Sequence, residues 1–334
     1  MAERGDKVIV SPSTLGCEIT LREPFMKQTS LLCLALTLPL AAVGCGSDDG
    51  GSGAEGDHYQ YVVATMDPKA TNALDIDGNG RSENQLGALV GFLTLGGFQV
   101  QEAIDEAVVR GQALLLADLQ TTSFSAASGA GFALYLGDSA AITPAPCTDD
   151  TMLATCGQHL KGTGSFSIAS ASPRDTVLTG SIAGGIFSGG PGTLSIPVAL
   201  TGAPIIVKLI GARVKISETT DSSLAGIVGG AIADSEINSN ILPAIRDQLE
   251  TVLTRDCGPL AGRTPAGCGC TAGSTGLSII QGFDIAPNDC QVTVEEIKNQ
   301  PLIANGLKAD ITVDGQPALS VGIGFTAKKA TYTR

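Results

Sequence analysis

The chain has 334 residues with 43 glycines, no tryptophan and only 4% aromatic residues. Its formal net charge at pH 7 is −13, which argues against a nucleic-acid partner and against unaided adsorption to anionic membranes, because both carry negative charge. Apolar content comes chiefly from Ala, Val, Ile and Leu, and this composition with many glycine turns favours β structure.

An apolar run over residues 31–43 follows a short, weakly basic start at residues 26–30 and ends at Gly44-Cys45. The run is too short to span a bilayer, which takes about 20 residues, and its form is that of an export signal. Residues 42–45 (AVGC) resemble the lipobox of bacterial lipoproteins, with alanine at the position where leucine is usual. The resemblance implies cleavage before Cys45 and a covalent lipid on its sulfur.

We therefore predict a signal peptide at 26–44, preceded by an upstream extension, residues 1–25, that is not part of the natural start. After Cys45, residues 46–57 are Gly, Ser and acid with one alanine, and residues 45–57 are predicted to form a flexible tether. By resemblance to Gram-negative lipoproteins, Gly46 in place of Asp implies the outer membrane. The expected location is the cell envelope, periplasmic or surface-facing, with the membrane as partner through the lipid and a further protein or small-molecule partner unidentified.

Residues 58–111 are predicted to contain a short strand (59–66), an acidic loop and two helices. Apolar residues recur at helical spacing in 85–95 and again in 99–110. Gly111 can end the second helix. The pattern predicts an N-terminal helical hairpin.

The acidic loop, DIDGNGRSE from position 75, alternates oxygen-bearing side chains around Gly80. Calcium prefers six to eight oxygen ligands, which such a loop supplies. The loop resembles the first half of an EF-hand, but Leu86 stands at position 12. It is more similar to the short loops of thrombospondin type-3 and integrin-propeller calcium sites. That resemblance implies four side-chain ligands and one carbonyl ligand: Asp75, Asp77, Asn79 and Glu83, with the carbonyl of Arg81.

Such an incomplete ligand set predicts weak binding, with Kd in the range of about 10⁻⁴–10⁻³ M. The alternative is a polar turn before a helix, with Ser82 or Asn84 as the N-cap.

Residues 112–334 are predicted to form a disulfide-containing β domain. The candidate strands are 113–124, 130–137, 163–170, 177–187, 193–200, 204–216, 223–232, 277–281, 308–313 and 318–332. Asp314-Gly315 is a strong hairpin signal. After it, Leu319, Val321, Ile323 and Phe325 alternate with Ser320, Gly322, Gly324 and Thr326, so one face is expected in the core and the other is open to close approach.

One long amphipathic helix is predicted over 234–255, lying on the sheet. Asp234 or Ser235 can cap its start. Pro243 is expected to kink it or to mark its first turn.

Six cysteines remain after Cys45: Cys147, Cys156, Cys257, Cys268, Cys270 and Cys290. An even count in an exported chain predicts disulfides. Cys147 and Cys156 flank a short loop and are expected to pair, and the other four to pair among themselves. Zinc is the alternative, but Cys268 and Cys270 are closer than the usual ligand spacing of about two to four residues.

Catalytic motifs are absent: the sequence has no G-x-S-x-G, no H-E-x-x-H and no phosphate-binding loop. His58 and His159 are its only histidines, and a single histidine beside a loop is more often solvated than catalytic. A hydrolase that uses a pair of carboxylates remains an alternative.

The expected fold is α+β and dominated by β structure: a Gly-rich antiparallel sandwich or barrel-like sheet with one long helix and the helical hairpin. The expected function is a non-enzymatic, lipid-anchored envelope protein with a structural, adhesive or binding role and a weak calcium site. The chain as a whole is similar to bacterial surface lipoproteins of this size. This resemblance implies no activity. A carrier of lipid or of a small apolar ligand, held in a cavity between sheet and helix, is a second alternative.

Overall fold

The computed structural model describes residues 53–95, 99–148, 156–174, 176–198, 205–265 and 267–334. The predicted extension, signal peptide and Cys45, with most of the tether, lie outside these residues. The strands of the described part are β1 (Asp57–Asp67), β2 (Leu115–Thr121), β3 (Ala126–Thr143), β4 (Gly164–Ile168), β5 (Val177–Ala183), β6 (Ile186–Val198), β7 (Ile205–Thr219), β8 (Ser223–Ala233), β9 (Ile311–Val313) and β10 (Gln316–Thr333). Its α-helices are α1 (Gln85–Leu95), α2 (Val100–Val109), α3 (Asp234–Glu236), α4 (Leu242–Cys257), α5 (Thr275–Phe283), α6 (Val294–Asn299) and α7 (Pro301–Gly306).

Eight of the strands close into an antiparallel barrel. Their order around the ring is β1-β2-β3-β5-β6-β7-β8-β10, and β10 pairs back onto β1. Of the two predicted architectures the barrel is therefore confirmed, and the fold is β-dominated as expected. Closure leaves no free edge in the ring.

Alternate residues of each strand fill the interior of the barrel, as the period of two requires. Phe132, Phe187 and Phe325 come from three different strands, and their rings meet with centroids 6.1–6.3 Å apart. The first two are fully buried. A small number of aromatic rings thus fills the centre, and aliphatic side chains fill the remainder.

The last strand has the two faces that its sequence predicts. Leu319 and Val321 are buried, whereas Gly322 and Gly324 lie on the outer face. A Cβ at Gly322 would collide with the backbone carbonyl of Asn72. The segment between β1 and α1 therefore lies directly on the outside of the barrel, on a face that side chains would otherwise occupy.

The predicted hairpin turn at Asp314-Gly315 is also present. Both residues have positive φ, 51° and 76°, and Val313 pairs with Gln316 across them. These are the properties of a two-residue type I′ turn, which requires positive φ at both central positions.

β4 forms a second, smaller layer outside the ring, antiparallel to the end of β3 and parallel to the end of β10. The side chain of Gln60 accepts from the backbone nitrogen of Tyr332 (2.9 Å) and donates to its carbonyl (2.7 Å). The Tyr332 hydroxyl donates to the carbonyl of Ala117 at 2.7 Å. These bonds hold the end of β10 against β1 and β2.

Two helices occur where the sequence predicts them, but the helical hairpin is not seen. α1 packs mainly against β10 and α7, and α2 packs against β1. Each helix thus buries its apolar side against the barrel instead of against the other. The intervening residues 96–98 lie outside the described part of the chain.

The predicted helix 234–255 is present as one uninterrupted helical stretch from Asp234 to Cys257, with a change of helix type inside it. α3 leads into a π-helical turn at Ile237–Ile241 and then into α4, with Pro243 in the first turn of α4 as expected. The N-cap position is Ala233, without a side-chain cap, so the predicted capping by Asp234 or Ser235 is wrong. α4 packs chiefly against α5 and α6.

The predicted strand at 277–281 is wrong, because these residues belong to α5. Ser274 caps this helix by accepting from the Leu277 nitrogen at 3.2 Å. A short apolar run such as Leu277 to Ile280 is compatible with a strand or with a helix, and here the N-cap at Ser274 favours the helix. None of the helices in the described ranges is long and apolar enough to cross a membrane.

Candidate functional site

The acidic loop lies on the outer face of the barrel between β1 and α1. Its one buried side chain, Ile76, is 3% exposed and packs with Ile311, Val313 and Ala318. An isolated β-bridge joins Leu74 to Glu83, with the Glu83 nitrogen donating to the Leu74 carbonyl at 3.1 Å. The apolar anchor and the bridge fix both ends of the polar stretch between them.

Asn84 holds the end of the loop to β10. Its Oδ1 accepts from the nitrogens of Gly322 (3.0 Å) and Gly87 (2.9 Å). Its Nδ2 donates to the carbonyls of Gly322, Asn72 and Lys69 at 2.8–3.0 Å. Asn84 is thus the N-terminal cap of α1, as one alternative expected. It also hydrogen-bonds the nitrogen and the carbonyl of Gly322. This glycine lies past the last residue of β10 that pairs with β1.

The carboxylates of Asp75, Asp77 and Glu83 converge, with oxygens all within 4.8 Å of one another. Gly78 and Gly80 supply the sharp turns, with φ of 79° and 85°. The Asp75 oxygens accept from the nitrogens of Gly78 (2.8 Å) and Gly80 (3.0 Å). A carboxylate has about four acceptor positions, so these bonds leave room for a cation.

Asn79 and Arg81 differ from the three carboxylates. The Asn79 Oδ1 accepts from the Arg81 nitrogen at 2.8 Å, and its Nδ2 donates to Asp77 Oδ2 at 3.0 Å. The amide thus orients Asp77, and one of the two acceptor positions of its oxygen is already used. Its predicted ligand role and that of the Arg81 carbonyl stay predictions.

Of the three carboxylates in the cluster, that of Glu83 has the least favourable surroundings for a negative charge. Among the described residues its Oε2 is buried without a hydrogen-bond partner. Burial, together with the negative charges of Asp77 and Asp75, raises the pKa of the Glu83 carboxyl above its ordinary value, partly offset by hydrogen bonds that include Asn79. A cation among the three carboxylates would remove this penalty.

The six cysteines form three disulfides: Cys147–Cys156, Cys257–Cys270 and Cys268–Cys290. Disulfides are thus present as predicted. Their sulfurs are bonded to one another and are not thiolates, so they do not supply the zinc ligands of the alternative.

Neither histidine belongs to the carboxylate cluster of the loop. His58 Nδ1 is 2.8 Å from Asp118 Oδ1, and Arg334 Nε is 3.1 Å from Asp118 Oδ2. His159 is fully buried, 6.3 Å from the Phe166 ring, so its expected solvation is wrong. Burial lowers the pKa of His159. Over the ranges that the structure describes, neither imidazole hydrogen-bonds a serine.

The barrel interior bears on the carrier alternative. An apolar cavity between Val63, Leu134 and Phe325 has a volume of about 20 Å³. That is the space of roughly one water molecule, far below the volume of an acyl chain. This cavity gives a carrier no support, and it lies between strands instead of between the sheet and the helix, where the carrier alternative places its ligand.

Comparisons with protein-family models, with curated proteins and with solved structures find no match to this chain. The functional argument therefore rests on the residues and their geometry.

Proposed function

We propose that this chain is a lipid-anchored protein of the cell envelope whose acidic loop binds calcium on the outside of a disulfide-linked barrel. Its role is structural, adhesive or binding, without a catalytic step. The three disulfides support an oxidising compartment outside the cytosol. The lipobox at Ala42–Cys45 supports the anchor.

The observation that carries the calcium proposal is the convergence of three carboxylates around a buried, unpartnered Glu83 oxygen. Like charges so close repel one another, and an unpaired buried acceptor costs free energy. A hard divalent cation with oxygen ligands offsets both costs. Asp75, Asp77 and Glu83 would hold the ion, with the Asn79 and Arg81 oxygens and water completing the set.

Bound calcium would join the start of the loop to Glu83, directly before the Asn84 cap. The loop and α1 would then move as one unit on β10. Calcium is thus expected to stiffen this outer surface rather than the barrel itself, whose strands are already closed.

Calcium is expected to bind with a Kd of about 10⁻⁴–10⁻³ M. The double change Asp75→Asn and Asp77→Asn keeps the shapes and removes two charges, so the affinity should fall at least about tenfold, as hydrogen-bonded charge interactions of this kind imply. Calorimetric titration of the full chain measures both. The double change Asp221→Asn and Asp247→Asn, at exposed aspartates elsewhere, is the matched control, because it also removes two charges. No heat from the parent protein at millimolar calcium contradicts the site.

The membrane-bound form is expected to begin at Cys45 with acyl chains on its sulfur. Intact-mass spectrometry of the protein extracted from membranes measures this directly. Cys45→Ala should abolish the lipid mass and shift the protein out of the detergent phase, because a single residue carries the anchor. An unmodified Cys45 in the native product refutes the anchor and leaves the calcium measurement unaffected.

A further inference from the structure

A cleft of about 230 Å³ opens on the outside of the barrel beside the acidic loop. Leu74 and Asp75 form one wall. The β6 segment 188–190 and the β7 segment 213–215 form the rest. The volume lies below the range of about 300–1,000 Å³ typical of drug-sized ligands, so the cleft suits one small group.

A β-bulge shapes the floor of this cleft. The pairing of β6 with β7 passes from Gly189↔Val214 to Gly192↔Ala212, which leaves two residues of β6 outside the ladder. Gly190 has a φ of 98°, and a Cβ there would collide with the Ala212 carbonyl. Gly190 thus allows β6 to pass close to β7 at the bulge, where the cleft opens.

Two cations, Arg213 and Lys215, line the cleft, and Asp75 lines it as well without forming an ion pair with either. In the described part of the chain, neither Arg213 nor Lys215 forms an ion pair or a side-chain hydrogen bond, and the Arg213 Nε is buried without an acceptor. A buried guanidinium donor without an acceptor is costly.

We propose that this cleft binds the carboxylate of a small ligand, with Arg213 as the principal contact and Lys215 as the second. The planar fork of a guanidinium matches a carboxylate in two parallel hydrogen bonds. Asp75 on the opposite wall repels a doubly charged phosphate more than a singly charged carboxylate. The same aspartate can accept from a hydroxyl or amino group of the ligand, as a sugar acid or an amino acid provides.

The test is a calorimetric titration of the full chain with glucuronate, after EDTA has removed calcium and has then been dialysed away. The chelator makes the result independent of the calcium proposal, which can fail separately. The parent should bind glucuronate, bind inorganic phosphate more weakly and give no heat with glucose. Arg213→Gln should weaken glucuronate binding about tenfold or more, and Lys215→Gln, at an exposed position, should weaken it severalfold.

Lys208→Gln is the matched control, because Lys208 is an exposed cation of the same strand that does not line the cleft. It changes the net charge equally and should leave binding unchanged. The proposal is overturned by the absence of heat with glucuronate at 10 mM, chosen as about tenfold above a millimolar Kd. It is equally overturned if phosphate binds more tightly, or if neither Arg213→Gln nor Lys215→Gln differs from Lys208→Gln.

Discussion

Replacing Asn84 by alanine is expected to lower the free energy of unfolding by about 3 kcal/mol, since each buried polar group left unpaired costs about 1–3 kcal/mol. The amide bonds the nitrogen and carbonyl of Gly322 and the nitrogen of Gly87 in buried surroundings. Alanine replaces none of these bonds. The remaining two partners, the carbonyls of Lys69 and Asn72, are only partly buried, and water can compensate them.

Urea unfolding followed by circular dichroism measures this change. Asn240→Ala is the control, because Asn240 also uses its amide within the chain but lies exposed, bonded to Glu236. Its effect should stay within about 0.5 kcal/mol, the usual range for surface positions. Equal stabilities of the two variants would show that the Asn84 bonds do not hold the loop to the barrel.

Glu250→Gln is expected to cost about 3 kcal/mol, the lower end of the range for breaking a buried ion pair, because Glu250 itself is 34% exposed. The Arg263 side chain is fully buried, and its guanidinium nitrogens donate to both Glu250 oxygens at 2.7 and 3.0 Å. Arg263 also donates to the carbonyls of Gly258 and Cys290. The neutral amide would leave a buried cation without its counter-charge.

Thermal unfolding with the disulfides intact measures the loss. Asp247→Asn removes a charge from the same helix at an exposed site, and it should change stability by no more than about 0.5 kcal/mol. Replacing both members of the pair with apolar residues, Glu250→Leu with Arg263→Met, should restore part of the loss, since no unpaired charge remains. If the Glu250→Gln protein were as stable as the parent, the prediction would be contradicted, because water would then have to solvate the Arg263 cation.

The strands were predictable where one face is apolar and the other is not. β10 shows a period of two over Leu319 to Phe325, and the Asp314-Gly315 turn fixes where it begins. The order of the strands was not predictable, because β3 passes over β4 in sequence to pair with β5. Such pairings depend on contacts distant in sequence, which a local pattern does not record.

The loop carboxylates were predictable, because Asp75, Asp77 and Glu83 lie within nine residues and their spacing alone brings them together. Arg213 was not, because it enters the cleft from a strand far along the chain. Its sequence signal is a single cation within an otherwise regular strand. The burial of His159 was not predicted for the same reason. Its neighbour Phe166 belongs to β4, and the sequence does not indicate which strands pair with β4.

Closure of the barrel has a consequence for how the chain acquires its structure. Thr65 on β1 and Thr326 on β10 hydrogen-bond across the closing ladder, although they are 261 residues apart. Contacts so distant are entropically expensive to form and slow to form. During synthesis, β1 therefore keeps one edge without its partner until β10 has been made. That edge needs protection from association with other chains.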